Sequence, residues 1–276
     1  MRIETKTWAR LGLAGVLAGA GLAGCAEDAP EKGQRDIADF QPGTAGEGGE
    51  GGEAGEAGES GEGGVDFDAA ARDPVIYLTA LAVAEAHAIA AYDAYQEGRT
   101  DPAAEMFGHP VTEVLADMDP VFAQVGVADF KPRFNEASQA VLDGRSAIEV
   151  NERYGAIVAA IEEAERKAPD SDASEADIAA RVTVNMIDRA VSMYGEAQGS
   201  TRYEPYLDGY GYYRAAASTF EDAEPAILAA KPGLAARIRE ALELLGRAYP
   251  GAERPDTLAI ERGELLAAGS RVALAL

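Results

Sequence analysis

Asp73-Pro74, Asp101-Pro102 and Asp119-Pro120 each place a carboxylate side chain directly before a proline. That pair begins a helix, because the carboxylate caps the first amides and the missing proline N–H is harmless in the first turn. Ser146-Ala-Ile-Glu149 is a capping box and Ser174-Glu-Ala-Asp177 a shorter-armed version of it. Lys231-Pro232 and Arg254-Pro255 mark two further expected starts. Between these signals apolar side chains recur at three and four: Ile157, Ile161 and Ala164 in one segment, then Ile178 and Val182 in the next, where the stripe turns polar at Asn185 and Arg189. Alternating, β-branched runs bounded by turns are almost absent. The pattern predicts an all-α fold, a helical bundle of about six to eight helices over residues 69–276, rich in alanine, which favours helix and lets helices approach closely.

A different composition precedes it. Arg2, Lys6 and Arg10 stand ahead of the apolar run LGLAGVLAGAGL, a signal-peptide layout whose apolar region is too short to span a bilayer as a stable helix. The run ends in Leu22-Ala23-Gly24-Cys25, which resembles the lipobox of bacterial lipoproteins, where the cysteine is acylated, with palmitate among its lipids, and becomes the new N-terminus. Cys25 is the only cysteine, so lipidation explains a lone thiol in an exported chain and no intrachain disulfide is available. Ala26 after it resembles an outer-membrane sorting signal. The expected address is therefore the cell envelope, anchored in the membrane by lipid at the periplasmic face of the outer membrane.

Residues 25–68 hold 13 acidic and 2 basic residues and lack a periodic apolar pattern, which reads as a disordered acidic tether. Glycine falls at every third position from Gly43 to Gly64. A collagen-like trimer would need proline in those triplets, and glutamate follows glycine in six successive ones, so a self-repelling spacer fits better.

Without residues 1–24 the chain keeps 21 basic and 47 acidic residues, a net charge of −26. Nucleic-acid binding through phosphates needs a basic surface and is excluded as a function class. Attraction to cations or to basic partners is favoured. HExxH, GxSxG, a P-loop and a catalytic cysteine are all absent, so the expectation is a protein that is not an enzyme.

Two histidines remain. His87 lies mid-helix in AEAHAIAAYDAYQEG, and His109 precedes Pro110 in MFGHPVTEVL with Glu113 four residues on. A histidine and a carboxylate one turn apart can share a metal ion. The plainer alternatives are a buried, hydrogen-bonded His87 and a His109 that caps a new helix begun by Pro110. Six of eleven tyrosines fall between Tyr194 and Tyr213, where Glu204 and Asp208 are one turn apart and Gly209 and Gly211 loosen the backbone. That segment suits a helix-packing seam or a binding cleft.

His87 with its tyrosine-rich, glycine-ended continuation, Gly108-His109-Pro110 with Glu113, and Tyr203-Glu204 with Asp208 together resemble imelysin-like periplasmic helical proteins associated with iron uptake, which carry a GxHxxE motif. Here the spacing at His109 is HxxxE, and Ala90 stands where that motif would put glutamate after His87. The resemblance implies a metal site at His87, His109 and Glu113, with Glu204 and Asp208 as further ligands, for iron or another divalent cation. The expected function is a membrane-anchored envelope lipoprotein that binds or delivers a metal. The competing expectation is a non-catalytic structural or interaction module that meets another envelope protein through an exposed tyrosine face.

Overall fold

A computed structural model describes residues 66–276. The expected signal peptide, the expected lipid site at Cys25 and nearly all of the expected tether lie outside the described residues. Within them the chain is all-α: α1 Phe67–Ala70, α2 Pro74–Gln96, α3 Thr100–Pro110, a π-helical turn Val111–Leu115, α4 Asp119–Val125, α5 Lys131–Leu142, α6 Ala147–Glu165, α7 Glu175–Gly199, α8 Glu204–Ala230, α9 Pro232–Ala248 and α10 Arg262–Ala273. The count exceeds the expected six to eight because short pieces such as the one-turn α1 and the two-turn α4 carry weak periodicity of their own.

The start signals act unevenly. Asp73 caps α2 through its carboxylate, which accepts from the amides of Val75 at 2.8 Å and Ile76 at 3.4 Å. Ser146 and Ser174 cap α6 and α7 in the same way. Asp101 and Asp119 instead sit inside the first turns of α3 and α4, and Asp119 pairs with Lys131. Arg254-Pro255 starts no helix: residues 250–261 are irregular, and the Arg254 guanidinium donates to the carbonyls of Ala197 and Ser200, both at 2.9 Å.

α2 is the centre of the bundle. It is apolar on all sides, with Tyr77, Leu81, Val83 and a series of alanines buried, as a helix enclosed by others must be. Its length and composition would suffice to cross a membrane, but most of it is buried among its neighbours. α3, α6, α7 and α8 pack around it, and α7 with α8 forms the most extensive pair. α9 and α10 close the far side against α8 and α7. The tyrosines of α8 form a buried seam: Tyr206 and Tyr210 are core residues, and their hydroxyls donate to Gly251 O and Asp93 Oδ2, each at 2.8 Å. The exposed tyrosine face expected of an interaction module is not formed.

Candidate metal centre

His87 sits in the middle of α2 and is 2% exposed. Its Nδ1 lies 2.7 Å from the carbonyl oxygen of Val83, one turn back. A carbonyl only accepts, so Nδ1 carries the proton and donates it, and Nε2 is aimed away from its own helix. This is how a ring orientation is set for ligation. Nε2 lies 3.4 Å from Glu113 Oε2 and 3.6 Å from Asp208 Oδ1.

His109 arrives from α3. The expected break at Pro110 does not occur: α3 runs through the proline, and the next turn widens to π, with the Ala116 amide donating to Val111 O at 3.2 Å. Pro110 offers no N–H to the preceding turn, and a local π adjustment accommodates it without ending the helix. His109 is thus an internal helix residue rather than a cap. Glu113, on the widened turn, faces both imidazoles, with Oε1 at 3.5 Å from His109 Nδ1. The two rings are 6.0 Å apart between centroids.

Asp208 comes from the second turn of α8. It reaches His87 because α8 lies close against α2 at Gly211, where a side chain would collide with the backbone of Ala86. Gly209 has the same function against Tyr249. The two glycines therefore permit close helix approach inside a regular helix, and do not loosen it as expected. Tyr212, one residue beyond Gly211, sets its ring edge-on to His87 at 5.7 Å, and the Arg189 guanidinium lies 5.9 Å from the Tyr212 ring. Neither residue was singled out for the site from sequence. The polar end of the α7 stripe at Arg189 was the available signal.

His87, His109 and Asp208 each present a ligand atom within 4.8 Å of the other two. Asp208 Oδ1 is buried with no hydrogen-bond partner among the described residues, and an oxygen in that position favours a cation. Four of the five expected ligands thus converge. Glu204 does not: it pairs with Arg202 and lines a neighbouring cleft.

Electrostatics support the grouping. Burial pushes the Asp208 carboxyl up to about 6, against the attraction of His87 and His109. Burial opposes a charge on His87, but the Glu113 hydrogen bond, the Asp208 and Glu113 charges and the Val83 carbonyl together raise its pKa. Glu113 is lowered, first by its hydrogen bond to His87, with burial opposing. The raised pKa favours a proton on His87 Nε2, in the position that a cation would otherwise take.

Fold and site define an all-α domain with a half-buried group of two histidines and an aspartate that could hold a metal ion. Comparison with protein-family models, with curated proteins and with solved structures finds no match for this chain.

Proposed function

We propose that this chain is a lipid-anchored envelope protein that binds and delivers a divalent metal ion, iron first among the candidates. One observation carries the reading: His87 Nε2, oriented by its Nδ1 bond to Val83, faces the unpartnered Asp208 oxygen with His109 alongside. Two imidazoles and one carboxylate with open positions are a donor set that Fe(II) takes, and Glu113 can supply a further oxygen. The likeness to imelysin-like iron-uptake-associated proteins, drawn from these residues, points the same way. The lipobox at Cys25 and the acidic tether support an anchored domain reaching away from its membrane.

The test is a titration of the chain with Fe²⁺ and with Zn²⁺, beside His87→Ala and His109→Ala. The expected result is one equivalent bound and a melting temperature raised by about 5–10 °C at a hundredfold excess over Kd, with both effects lost in each variant. A wild-type melting temperature indifferent to both metals overturns the reading.

A further inference from the structure

His87 is almost wholly buried, so a cation must reach its Nε2 through some other residue of the group. Two such residues open outward: Glu113, 30% exposed on the π-helical turn, and His109, 16% exposed, which also faces a cleft. The Nδ1 of His109 faces Glu113, whereas its Nε2 faces Glu105 Oε1 at 3.9 Å. On that side lies a cleft of about 220 Å³ between α3 and the beginning of α8, lined by Glu105, Met106 and His109 from one and by Arg202, Glu204 and Leu207 from the other. The imidazole of His109 is thus shared between the cleft and the buried group. The residue after Leu207 is Asp208, whose unpartnered oxygen lies on the inner side.

Charge in the cleft is arranged around that imidazole. Glu105 and Glu204 stand at it with Arg202, which pairs with Glu204 and is itself 68% exposed. Met106 and Leu207 give it apolar walls, which focus the field of the carboxylates. We propose that this cleft is the route by which a divalent cation enters: Glu105 and Glu204 capture it, Arg202 is a tethered counter-ion that it displaces, and His109 passes it to the inner ligands. This rests on the metal reading above. Arg202 can leave Glu204 cheaply, since an exposed ion pair is weakly held and its guanidinium is already mostly in water. An arriving cation then meets two carboxylates and no fixed positive charge. An anionic ligand would meet the opposite field, so the cleft suits a cation.

A route, unlike a ligand set, changes rates in both directions and leaves the equilibrium nearly alone. The test is stopped-flow loading of the full-length chain with Co²⁺, followed by the absorbance of the bound ion, together with an equilibrium titration of each protein. Arg202→Gln is expected to load and release about tenfold faster. Glu105→Gln and Glu204→Gln are expected to load and release about tenfold slower, while Kd changes by less than about threefold in all three. The slowing shrinks at high salt, as screened steering must. Glu163→Gln, at an exposed position of α6 and paired with Arg166, loads at the wild-type rate and controls for net charge. Wild type that takes up no Co²⁺ overturns the metal reading and the route with it. One Co²⁺ bound at rates indifferent to the three cleft substitutions overturns the route alone. Loss of affinity in step with loss of rate makes Glu105 or Glu204 a ligand, which also overturns it.

Discussion

Gly211 lies directly on the backbone of Ala86: a Cβ added to the glycine would come within 2.4 Å of the Ala86 carbonyl oxygen and 3.0 Å of its carbon. The contact joins α8 to α2 one residue before His87. Asp208 and Tyr212, three residues before and one after Gly211, both reach the His87 ring from there. The distance between two helices therefore sets the geometry of the candidate metal centre, and a missing side chain sets that distance.

Gly211→Ala tests this directly. Backbone cannot retreat as a side-chain tip can, so the helices must separate, at a cost of about 1–3 kcal/mol. Metal affinity should fall as well, since Asp208 moves with α8. Gly233→Ala, in α9 with open space around it, is expected to be neutral or to stabilise by up to about 1 kcal/mol, and to leave metal binding alone. Urea unfolding and a metal titration of both proteins check the contrast. Equal stability of the two variants would mean that α8 does not lie against Ala86.

A proton on His87 Nε2 must leave before a cation can bind there, whereas the Nδ1 proton stays on the ring, donated to the Val83 carbonyl oxygen. Over the range where Nε2 is protonated, each cation bound is expected to release about one proton. Below the Asp208 pKa of about 6, a second proton joins it and the affinity falls more steeply. Calorimetric titration with Zn²⁺ in buffers of different ionisation enthalpy counts those protons. Affinity constant from pH 5 to 8 would remove His87 and Asp208 from the site.

Local chemistry was legible where the answer lay within one turn of helix. Asp73, Ser146 and Ser174 cap where their sequences place them, because a cap needs only the amides two and three residues on. Pro110 was legible as a missing donor but not as a widened turn, since the choice between breaking and widening is made by what the next turn packs against. Arg254-Pro255 misled for the same reason: the carbonyls that hold Arg254 belong to the end of α7, more than fifty residues away. Of two carboxylates one turn apart on α8, Asp208 faces His87 and Glu204 pairs with Arg202. Spacing makes the two equivalent. Which one faces the centre follows from how α8 is rotated at Gly211, a long-range contact that no window of sequence contains.

Tyr249 separates packing from ligation. Its hydroxyl donates to Ala190 O at 2.7 Å inside the core, and its ring stacks against Tyr213 with Tyr194 edge-on. Tyr249→Phe keeps the rings and removes one buried hydrogen bond to a carbonyl inside α7, which the helix itself also pairs, an expected loss of about 0.5–1.5 kcal/mol in stability. Metal affinity should be unchanged, because the centre is held by α2, α3 and α8. Thermal unfolding with and without Zn²⁺ decides: the variant should melt lower in both conditions and by a similar amount.

The buried carboxyl of Asp208 should make the metal-free fold weaken as pH rises. Its pKa moves from an ordinary 3.8 to about 6 on folding, so between those values the native state holds more protons than the unfolded chain, and stability falls with increasing pH. At about 1.4 kcal/mol per unit, the full effect approaches about 3 kcal/mol above pH 6. His87, also raised, acts in the same sense at higher pH: its contribution is complete below its ordinary pKa of 6.5 and is lost as pH rises through the raised value. Glu113, lowered, acts oppositely, stabilising above its ordinary value and losing that contribution as pH falls through the lowered one. Other carboxylates shape the whole curve, so the informative quantity is the difference from Asp208→Asn, which carries no titrating proton at this position. From pH 4 to 7, urea unfolding should show the metal-free wild type losing more stability than the variant. Bound Zn²⁺ should abolish much of that extra loss by occupying the place of the proton. Parallel curves for the two proteins would mean that the Asp208 carboxyl is solvated rather than buried against His87, and the pairing at the heart of the centre would fall.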